Sequence, residues 1–488
     1  MYALRKMSMA VVSKASTTSK AYEPGEEPQD APKDQPAEGD SGLFESVDFV
    51  PPAHTTCYKL WVVCCSVWIV LFIPLSLTAF AMGYRPTRAT TPPQLTTDPI
   101  WLTVENQPPC QEQFPSRKAA TGSIKKRASS ILCVFNTSAH RRPLVSRMVL
   151  GYIPGFICKH VLYSSILMPD PEGALQSLTP EFDMECAGLA SVKVLKKRFQ
   201  HIKVYTVLSA NTPALETVLF TLASGRLDKL VKFVRDWIVK FSFDGLFVSW
   251  SQPFALEKSR VLFSRLAVTL RPEYTLGAIL PWQIPALQNY DTVSIASNVD
   301  WIIMKTHGFY PRKGYNFTSC PSPYQSSDDR TTISEILKYH LVTMRDHMNL
   351  SRVCFTVSFR ATGYRVTDRI FSGHMRTQGP GNLNRYTGDN GIIAYPQVCK
   401  LEVNSAKSNT AVCSYTKVNQ TWVSYEDPWS IADKVHRAIE LLRRRRGNVS
   451  VDQGFCVGVW DLDLDDYKGS CTPKKHWPLL EALAGALP

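Results

Sequence analysis

The sequence predicts an α/β protein with parallel strands joined by crossover helices. Short apolar runs rich in β-branched residues recur between residues 204 and 460 and alternate with stretches of helical periodicity. Such alternation is typical of a parallel sheet, because each helix returns the chain to the edge where the next strand begins. The 488 residues exceed one average domain, but they suit a domain of about 250 residues with an insertion and an N-terminal extension.

Residues 1–57 predict a disordered tail. They contain 5 Lys or Arg against 9 Asp or Glu, so they carry about −4, and Pro, Gly and Ser concentrate in 23–42. Because the whole chain carries +13, residues 58–488 carry +17. A basic exterior of this kind favours acidic glycans or anionic cell surfaces as partners.

Residues 58–83 predict a single transmembrane helix. The stretch 60–83 is LWVVCCSVWIVLFIPLSLTAFAMG, 24 residues without a charge, which is long enough to cross a bilayer. About 59 residues precede it, far more than the n-region of a cleaved signal peptide. The Pro- and Thr-rich stretch 84–130 that follows predicts an extended stalk.

Sequons and cysteines indicate the orientation of this span. Ten of the 13 cysteines follow it, and so does every Asn-x-Ser/Thr sequon. We therefore expect a single-pass membrane protein with a cytosolic N-terminus and an extracellular or luminal C-terminal domain, and no nucleic-acid partner. The plasma membrane is preferred because no retrieval signal ends the chain at LAGALP. The predicted glycosylation sites are Asn136, Asn316, Asn349, Asn419 and Asn448.

The most informative motif is FDGLFVSWSQP at 243–253, which follows a strongly amphipathic helical stretch at 227–241. It resembles the fourth barrel strand of the family 18 glycoside hydrolases, the chitinases and chitinase-like proteins, which carries Asp-x-x-Asp-x-Asp-x-Glu. Asp244 matches the first Asp. Phe247 and Ser249 stand at the next two Asp positions, and Ser251 stands at the position of the Glu.

These replacements imply catalytic positions that are vestigial. In that family the Glu protonates the glycosidic oxygen while the substrate's own N-acetyl group attacks the anomeric carbon, and the last Asp stabilises that group. A serine hydroxyl cannot act as a general acid near neutral pH, and losing a positioned acid costs about 10²–10⁴-fold in rate. The resemblance therefore implies a site with no competent acid.

Two further segments resemble the sugar-binding parts of the family. DWIIMKTHGFY at 300–310 is similar to the sixth strand, where Met-x-Tyr-Asp holds the acetamido carbonyl of the substrate. Met304 is retained, whereas Thr306 and His307 stand at the Tyr and Asp positions. Trp460 ends a segment similar to the eighth strand, where the family places the tryptophan beneath the sugar. These four residues are the ligand-binding candidates.

The resemblance covers roughly residues 131–488 and implies a (β/α)₈ TIM barrel with a small α+β insertion within about 360–430. In such barrels functional groups lie at the C-terminal ends of the strands. The resemblance also implies two disulfides, Cys133 with Cys158 and Cys399 with Cys471. The other six cysteines after the span stay unassigned, and their spacings do not resemble a zinc site, so we expect no metal and no cofactor.

Three functions remain open at this point. The leading hypothesis is a catalytically inactive, membrane-anchored protein that binds chitin or another N-acetylglucosamine glycan. The first alternative is an active hydrolase with a relocated acid, and the second is a structural or adhesive surface protein with a closed cleft. The candidates for a relocated acid are Asp244, His307, Asp461, Asp463, Asp465 and Asp466.

Overall fold

The computed structural model describes residue 110 and residues 129–488 with several gaps. The gaps are 144–146, 170–174, 211–223, 251–255, 284–290, 310–315, 321, 327–330, 345–349, 368–370, 383–385, 400–404 and 447–453. The chain divides into two compact units, Met1–Thr96 and Thr97–Pro488, and the described residues belong to the second. The predicted tail, transmembrane helix and most of the stalk lie outside the described residues, as do Ser251, Asn349 and Asn448.

Eight parallel strands close into a TIM-like barrel, which confirms the predicted barrel. Each strand pairs with the next around the ring, and the first strand pairs with both the second and the last. A short strand, β3 (Leu175–Ser177), adds an antiparallel edge to β2. The barrel strands are β1 (Ser130–Phe135), β2 (His160–Pro169), β4 (Lys203–Ala210), β5 (Gly245–Trp250), β6 (Thr275–Leu280), β7 (Trp301–Met304), β8 (Val353–Ser358) and β15 (Cys456–Trp460).

Helices surround the barrel and bury one apolar face each. In α2, for example, Leu230, Val231, Val234 and Ile238 are buried, as the helical spacing of the sequence predicts. They pack against the outward-facing side chains of the strands. The outer helices are α1 (Ala190–Arg198), α2 (Ser224–Phe241), α3 (Leu256–Leu270), α4 (Thr292–Asn298), α5 (Ile333–Met344), α7 (Pro428–Arg446) and α8 (Pro478–Ala486).

The barrel interior is filled by side chains from every strand, with Phe247 of β5 fully buried among them. Its ring lies 5.2 Å from that of Tyr205, at 63°. On the other side the ring covers Gly277 of β6, where a Cβ atom would lie 2.3 Å from Cε1 of Phe247. The interior therefore accepts this large ring because the neighbouring strand has no side chain at the facing position.

A small antiparallel sheet lies between β8 and α7, within the range expected for the insertion. Its strands are hydrogen bonded in the order β10, β9, β14, β13, β12, with β11 also paired to β9. It buries its own cluster, formed by Tyr364, Val366, Met375 and Trp422. The elements are β9 (Ala361–Val366), β10 (Thr377–Pro380), β11 (Ile392–Ile393), α6 (Tyr395–Val398), β12 (Ala406–Ser408), β13 (Cys413–Val418) and β14 (Thr421–Tyr425).

Disulfides join segments that are distant in sequence. The two bridges implied by the resemblance, Cys133 with Cys158 and Cys399 with Cys471, are both present. The six cysteines that the sequence left unassigned are paired as well: Cys110 with Cys186, Cys320 with Cys413, and Cys354 with Cys456.

Among the described residues, no helix has the length and hydropathy needed to span a membrane. The predicted span at 60–83 is not among those residues, so it stays a prediction.

Replacing Gly277 with alanine tests the packing of the interior. The added Cβ overlaps the Phe247 ring, so we expect Gly277→Ala to lower the free energy of unfolding by about 1–3 kcal/mol. Gly485→Ala is the matched control. No atom lies within 4 Å of a Cβ at this position of α8, and alanine stabilises a helix by about 0.5–1 kcal/mol relative to glycine. Urea unfolding followed by tryptophan fluorescence measures the stability of both variants. A Gly277→Ala variant that is as stable as the unchanged chain would show that the interior is not tightly packed.

His340 of α5 makes stability depend on pH. Its side chain is buried, burial lowers its pKa to about 3, and neither ring nitrogen has a hydrogen-bond partner among the described residues. Above its unfolded pKa of about 6.5 the stability is complete. Between pH 6.5 and 3 the unfolded chain binds the proton more readily, so stability falls as pH falls.

Between pH 6.5 and pH 5 the unchanged chain should lose about 2 kcal/mol of unfolding free energy through His340, since one pKa unit corresponds to about 1.4 kcal/mol. We expect this loss to be absent in His340→Leu. The control is His436→Leu, which changes an exposed histidine of α7. Urea unfolding at the two pH values gives the difference for each variant. The same pH dependence in His340→Leu and the unchanged chain would contradict this role.

Candidate functional site

The end of β5 places a serine, not a carboxylate, at the barrel mouth. Side chains alternate along a strand, and Leu246 and Val248 pack outward against the helices while Phe247 points inward. Ser249 therefore shares the inward face, one step above Phe247, and it is half-buried. Its neighbours in the sheet are Ser209 of β4 and Ile279 of β6. The described part of this strand end offers a hydroxyl group where the family requires an acid.

Asp244 lies at the opposite end of the barrel from the mouth. It precedes β5, five residues before Ser249, which corresponds to about 16 Å along a strand. Its carboxylate accepts a hydrogen bond from Val204 N (2.9 Å) and pairs with Lys196 Nζ (2.9 Å) and Lys203 Nζ (3.2 Å). Asp244 thus fastens α1 and β4 to the start of β5, and its position argues against the hypothesis that it is a relocated acid.

Thr306 follows β7 and is fully committed to Thr356 of β8. Its hydroxyl donates to Thr356 O (2.6 Å) and accepts from Thr356 N (2.7 Å), while its own N donates to Thr356 Oγ1 (2.8 Å). These bonds extend the pairing of the two strands beyond Met304, and Thr306 is completely buried. The hydroxyl and the backbone N of Thr306 are therefore occupied by Thr356.

His307 lies at the mouth between Thr356 and Trp460. Its Nδ1 is 2.6 Å from Thr356 Oγ1, a partner 49 residues away that the sequence did not reveal. Its ring lies 4.9 Å from that of Trp460. Burial, followed by the nearby Lys305, lowers the pKa of His307 to about 3. The imidazole is therefore neutral near pH 7 and lacks the acidic imidazolium proton, which removes the main argument for it as a substitute acid.

Trp460 ends β15 and remains partly exposed, so one region of its indole can face a ligand. The side chain packs against the interior cluster. Met304, in contrast, is buried in the outer cluster with the helices. It therefore faces away from the barrel interior, and this orientation argues against it as a ligand contact.

Asp461 is the carboxylate that follows Trp460 at the mouth. It adopts the left-handed conformation (φ 52°), which aspartate tolerates, and accepts a hydrogen bond from Ser358 Oγ at 2.5 Å. Burial alone would raise its pKa, but the charge of Arg360, the Ser358 bond and the charge of Arg142 together lower it. Asp461 is consequently ionised at neutral pH and cannot serve as a proton donor there.

The other carboxylates of the acidic run have structural partners. Asp463 is buried and forms an ion pair with Arg142. Asp465 accepts hydrogen bonds from Leu480 N (3.0 Å) and Leu479 N (3.3 Å) at the start of α8. Asp466 accepts from Ser470 N (2.8 Å) and Cys471 N (2.6 Å). Each of these three carboxylates therefore has a structural role, although burial raises the pKa of Asp465 to about 7.

The sequence analysis missed two cations at the mouth, Lys305 after β7 and Arg360 after β8. Electrostatic effects on Asp461 and His307 place both close to these residues. The alternation of Trp301 and Ile303, which face the interior, would have indicated Lys305 as the next inward side chain. Arg360 lies two residues beyond the end of β8, where the alternation of a strand no longer has to hold.

Three sequons fall on described residues, and they differ in exposure. Asn316 and Asn419 are exposed, whereas Asn136 is half-buried and its side-chain oxygen accepts a hydrogen bond from Ser138 N (3.0 Å) at the start of a short 3₁₀ helix. Asn316 and Asn419 are therefore the better placed of the three for modification.

Comparisons with known proteins agree with this fold. Residues 132–442 match the glycosyl hydrolases family 18. Probable chitinase 2 of Drosophila melanogaster is 26% identical over 411 residues, which cover 76% of this chain and 79% of that protein. The structure of Ostrinia furnacalis Group IV chitinase in complex with allosamidin has a TM-score of 0.65 at 20% identity, covering 73% of this chain and 98% of that one.

A third similar structure is human YKL-39, described as a pseudo-chitinase with retained chitooligosaccharide binding properties. Its TM-score is 0.63 at 18% identity, and the match covers 73% of this chain and 99% of that one. At such identities the solved structures establish the fold alone. The family match spans well over half of the sequence, and the chain belongs to glycosyl hydrolase family 18.

Proposed function

We propose that this chain is a membrane-anchored, noncatalytic member of the family whose barrel mouth binds N-acetylglucosamine-containing glycans such as chitin fragments. The observation that carries the proposal is the protonation state of the side chains at the barrel mouth. Two described groups lie next to Trp460, and near pH 7 His307 is neutral and Asp461 is ionised. Ser249, with Ser251 in the sequence, takes the place of the missing acids.

Binding is the function that the remaining geometry favours. Trp460 keeps part of its indole exposed above a filled interior, and an aromatic face is a suitable surface for the apolar face of a sugar ring. Buried hydrogen bonds hold His307, Asp461 and Ser358 around it. Such a rigid site reduces the entropy that binding must otherwise overcome. The pseudo-chitinase YKL-39 is a precedent for binding of chitooligosaccharides without turnover.

An active hydrolase with a relocated acid is the second candidate, and one observation favours it. Lys305 lies at the mouth, and burial together with the charge of Arg360 lowers the pKa of its ammonium group. A lysine with a lowered pKa is a more effective proton donor than an ordinary one. An ammonium group nevertheless cannot stabilise the acetamide of the substrate as a carboxylate would, so the hydrolase remains the weaker proposal.

The membrane anchor is part of the proposal and rests on residues 60–83 of the sequence. Their length and lack of charge support a single span, and the sequons support an extracellular C-terminal domain at the plasma membrane.

Replacing Trp460 tests glycan binding. We expect Trp460→Ala to weaken binding of the full chain to N-acetylchitopentaose at least about tenfold, because loss of a central aromatic contact costs on the order of 1.4 kcal/mol or more. Phe233→Ala, which removes an exposed ring from the outer face of α2, is the control and should bind normally. Isothermal titration in detergent micelles gives the dissociation constants. No binding by the unchanged chain, to this sugar or to a broad glycan panel, would remove the proposed function.

Glycosylation tests the orientation. We expect the full chain made in animal cells to lose mass on treatment with peptide N-glycosidase F, and to lose less in the double variant Asn316→Gln, Asn419→Gln, because these two sequons are exposed. The control is Asn298→Gln, which changes an asparagine outside any sequon. A C-terminal domain that is unglycosylated and digested by protease from the cytosolic side would contradict the proposed topology.

A further inference from the structure

The mouth cluster, which we define as Lys305, Arg360 and Asp461, contains two cations and one anion. The nearby Arg142 already pairs with Asp463, so that pair leaves the charge of the mouth unchanged. His307 is neutral near pH 7. Within the described part of the chain the mouth cluster therefore carries one positive charge in excess.

The side chain of Lys305 points into the mouth. Trp301 and Ile303 of β7 face the barrel interior, whereas Ile302 and Met304 face the helices. The backbone continues this pattern past the strand end, because Lys305 N donates to Leu280 O at 3.0 Å. Alternation then makes Lys305 the next inward residue, one step above Ile303. The charge of Asp461 favours the protonated form of Lys305, as expected of two groups that lie close together.

Arg360 reaches the same place from β8. Its backbone N donates to Ser358 Oγ (3.2 Å), and that hydroxyl donates to Asp461 (2.5 Å). Its guanidinium group lies beside Gly308, since Nη2 is 3.4 Å from where a Cβ would be at that glycine. Arg360 and Lys305 therefore approach Asp461 and His307 together.

One carboxylate cannot balance both cations. Lys305 forms no ion pair among the residues that the structure describes, and its partly buried charge is poorly solvated. A positive charge removed from water is stabilised most by an opposite charge at close range. An anionic group on a ligand, placed next to Lys305 and Arg360, would supply it.

We infer that the mouth binds N-acetylated glycans that carry an anionic group, a carboxylate or a sulfate, in preference to neutral chitin fragments. Trp460 contacts the sugar ring, and Lys305 with Arg360 binds the anionic group. This inference rests on the proposed function, because it specifies the ligand of the same site. The basic balance of residues 58–488, +17, favours the approach of such polyanions to the domain.

The test compares three oligosaccharides of similar length with the full chain in detergent micelles: neutral N-acetylchitopentaose, hyaluronan with carboxylates, and chondroitin sulfate with carboxylates and sulfates. We expect at least one anionic sugar to bind about tenfold more tightly than the neutral one in about 20 mM salt, since a charged hydrogen bond is worth about 1.5–3 kcal/mol. The carboxylate-only and sulfated sugars show which anion the site prefers.

Lys305→Met should abolish this preference by lowering the affinity for the anionic sugar about tenfold. The matched control is Lys338→Met, which removes the same charge from the exposed face of α5 and should retain the preference. Circular dichroism and the thermal midpoint of each variant verify folding, and Lys305→Gln is a second variant if Lys305→Met is poorly folded.

The outcomes separate this inference from the proposed function. Equal binding of neutral and anionic sugars overturns the inference and leaves the proposed function intact. No binding of any sugar overturns both. An anionic preference that falls equally in Lys305→Met and Lys338→Met reflects the general surface charge, and it also overturns the inference.

Discussion

Closure of eight parallel strands into a ring determines which residues of this protein can meet. Because β1 pairs with both β2 and β15, no strand of the ring has a free edge, and inward side chains from all eight converge on one interior. That interior is filled by residues such as Phe247 and Tyr205. Chemistry is thereby confined to the rim, where residues at the strand ends remain accessible. The positions of the candidate functional residues depend on that geometry.

The rim differs from the catalytic motifs that the sequence resembles. In those motifs Ser249 and Ser251 stand at acid positions, and Thr306, which stands at a substrate-binding position, joins β7 to β8. In their place the rim contains Lys305, Arg360 and Asp461 around Trp460. Such an arrangement is poorly suited to giving a proton to a leaving oxygen near neutral pH. It is compatible with the proposal that the rim recognises a sugar and its substituents.

The sequence predicted the strands and helices well because strand alternation and helical periodicity are local properties, and the family resemblance implied their closure into a barrel. It predicted the α2 face from Leu230, Val234 and Ile238, and the resemblance implied the two bridges that are present. It could not assign the facing pair Cys354 and Cys456, since their strands are 102 residues apart and only the register brings them together. Long-range pairings of this kind leave no trace in local spacing.

The candidate site was predicted less completely, for a related reason. Motif spacing placed Asp244 among the catalytic positions, but three residues along a strand change the face, and the structure shows it at the opposite end of the barrel. Met304 matched the motif yet faces the helices. The partner of His307 lies on another strand. Lys305 could have been found by extending the alternation of β7, which a comparison of motif letters does not consider.

The most direct test of the central claim is a turnover measurement on the full chain. A fluorogenic N-acetylchitotrioside is incubated with it from pH 4 to pH 8, with an active chitinase as the positive control. Because the described carboxylate next to Trp460, Asp461, is ionised, we expect release at the rate of the protein-free blank throughout this range. Release that saturates with substrate and disappears in Lys305→Met would show that the mouth does contain a proton donor, and it would contradict the account.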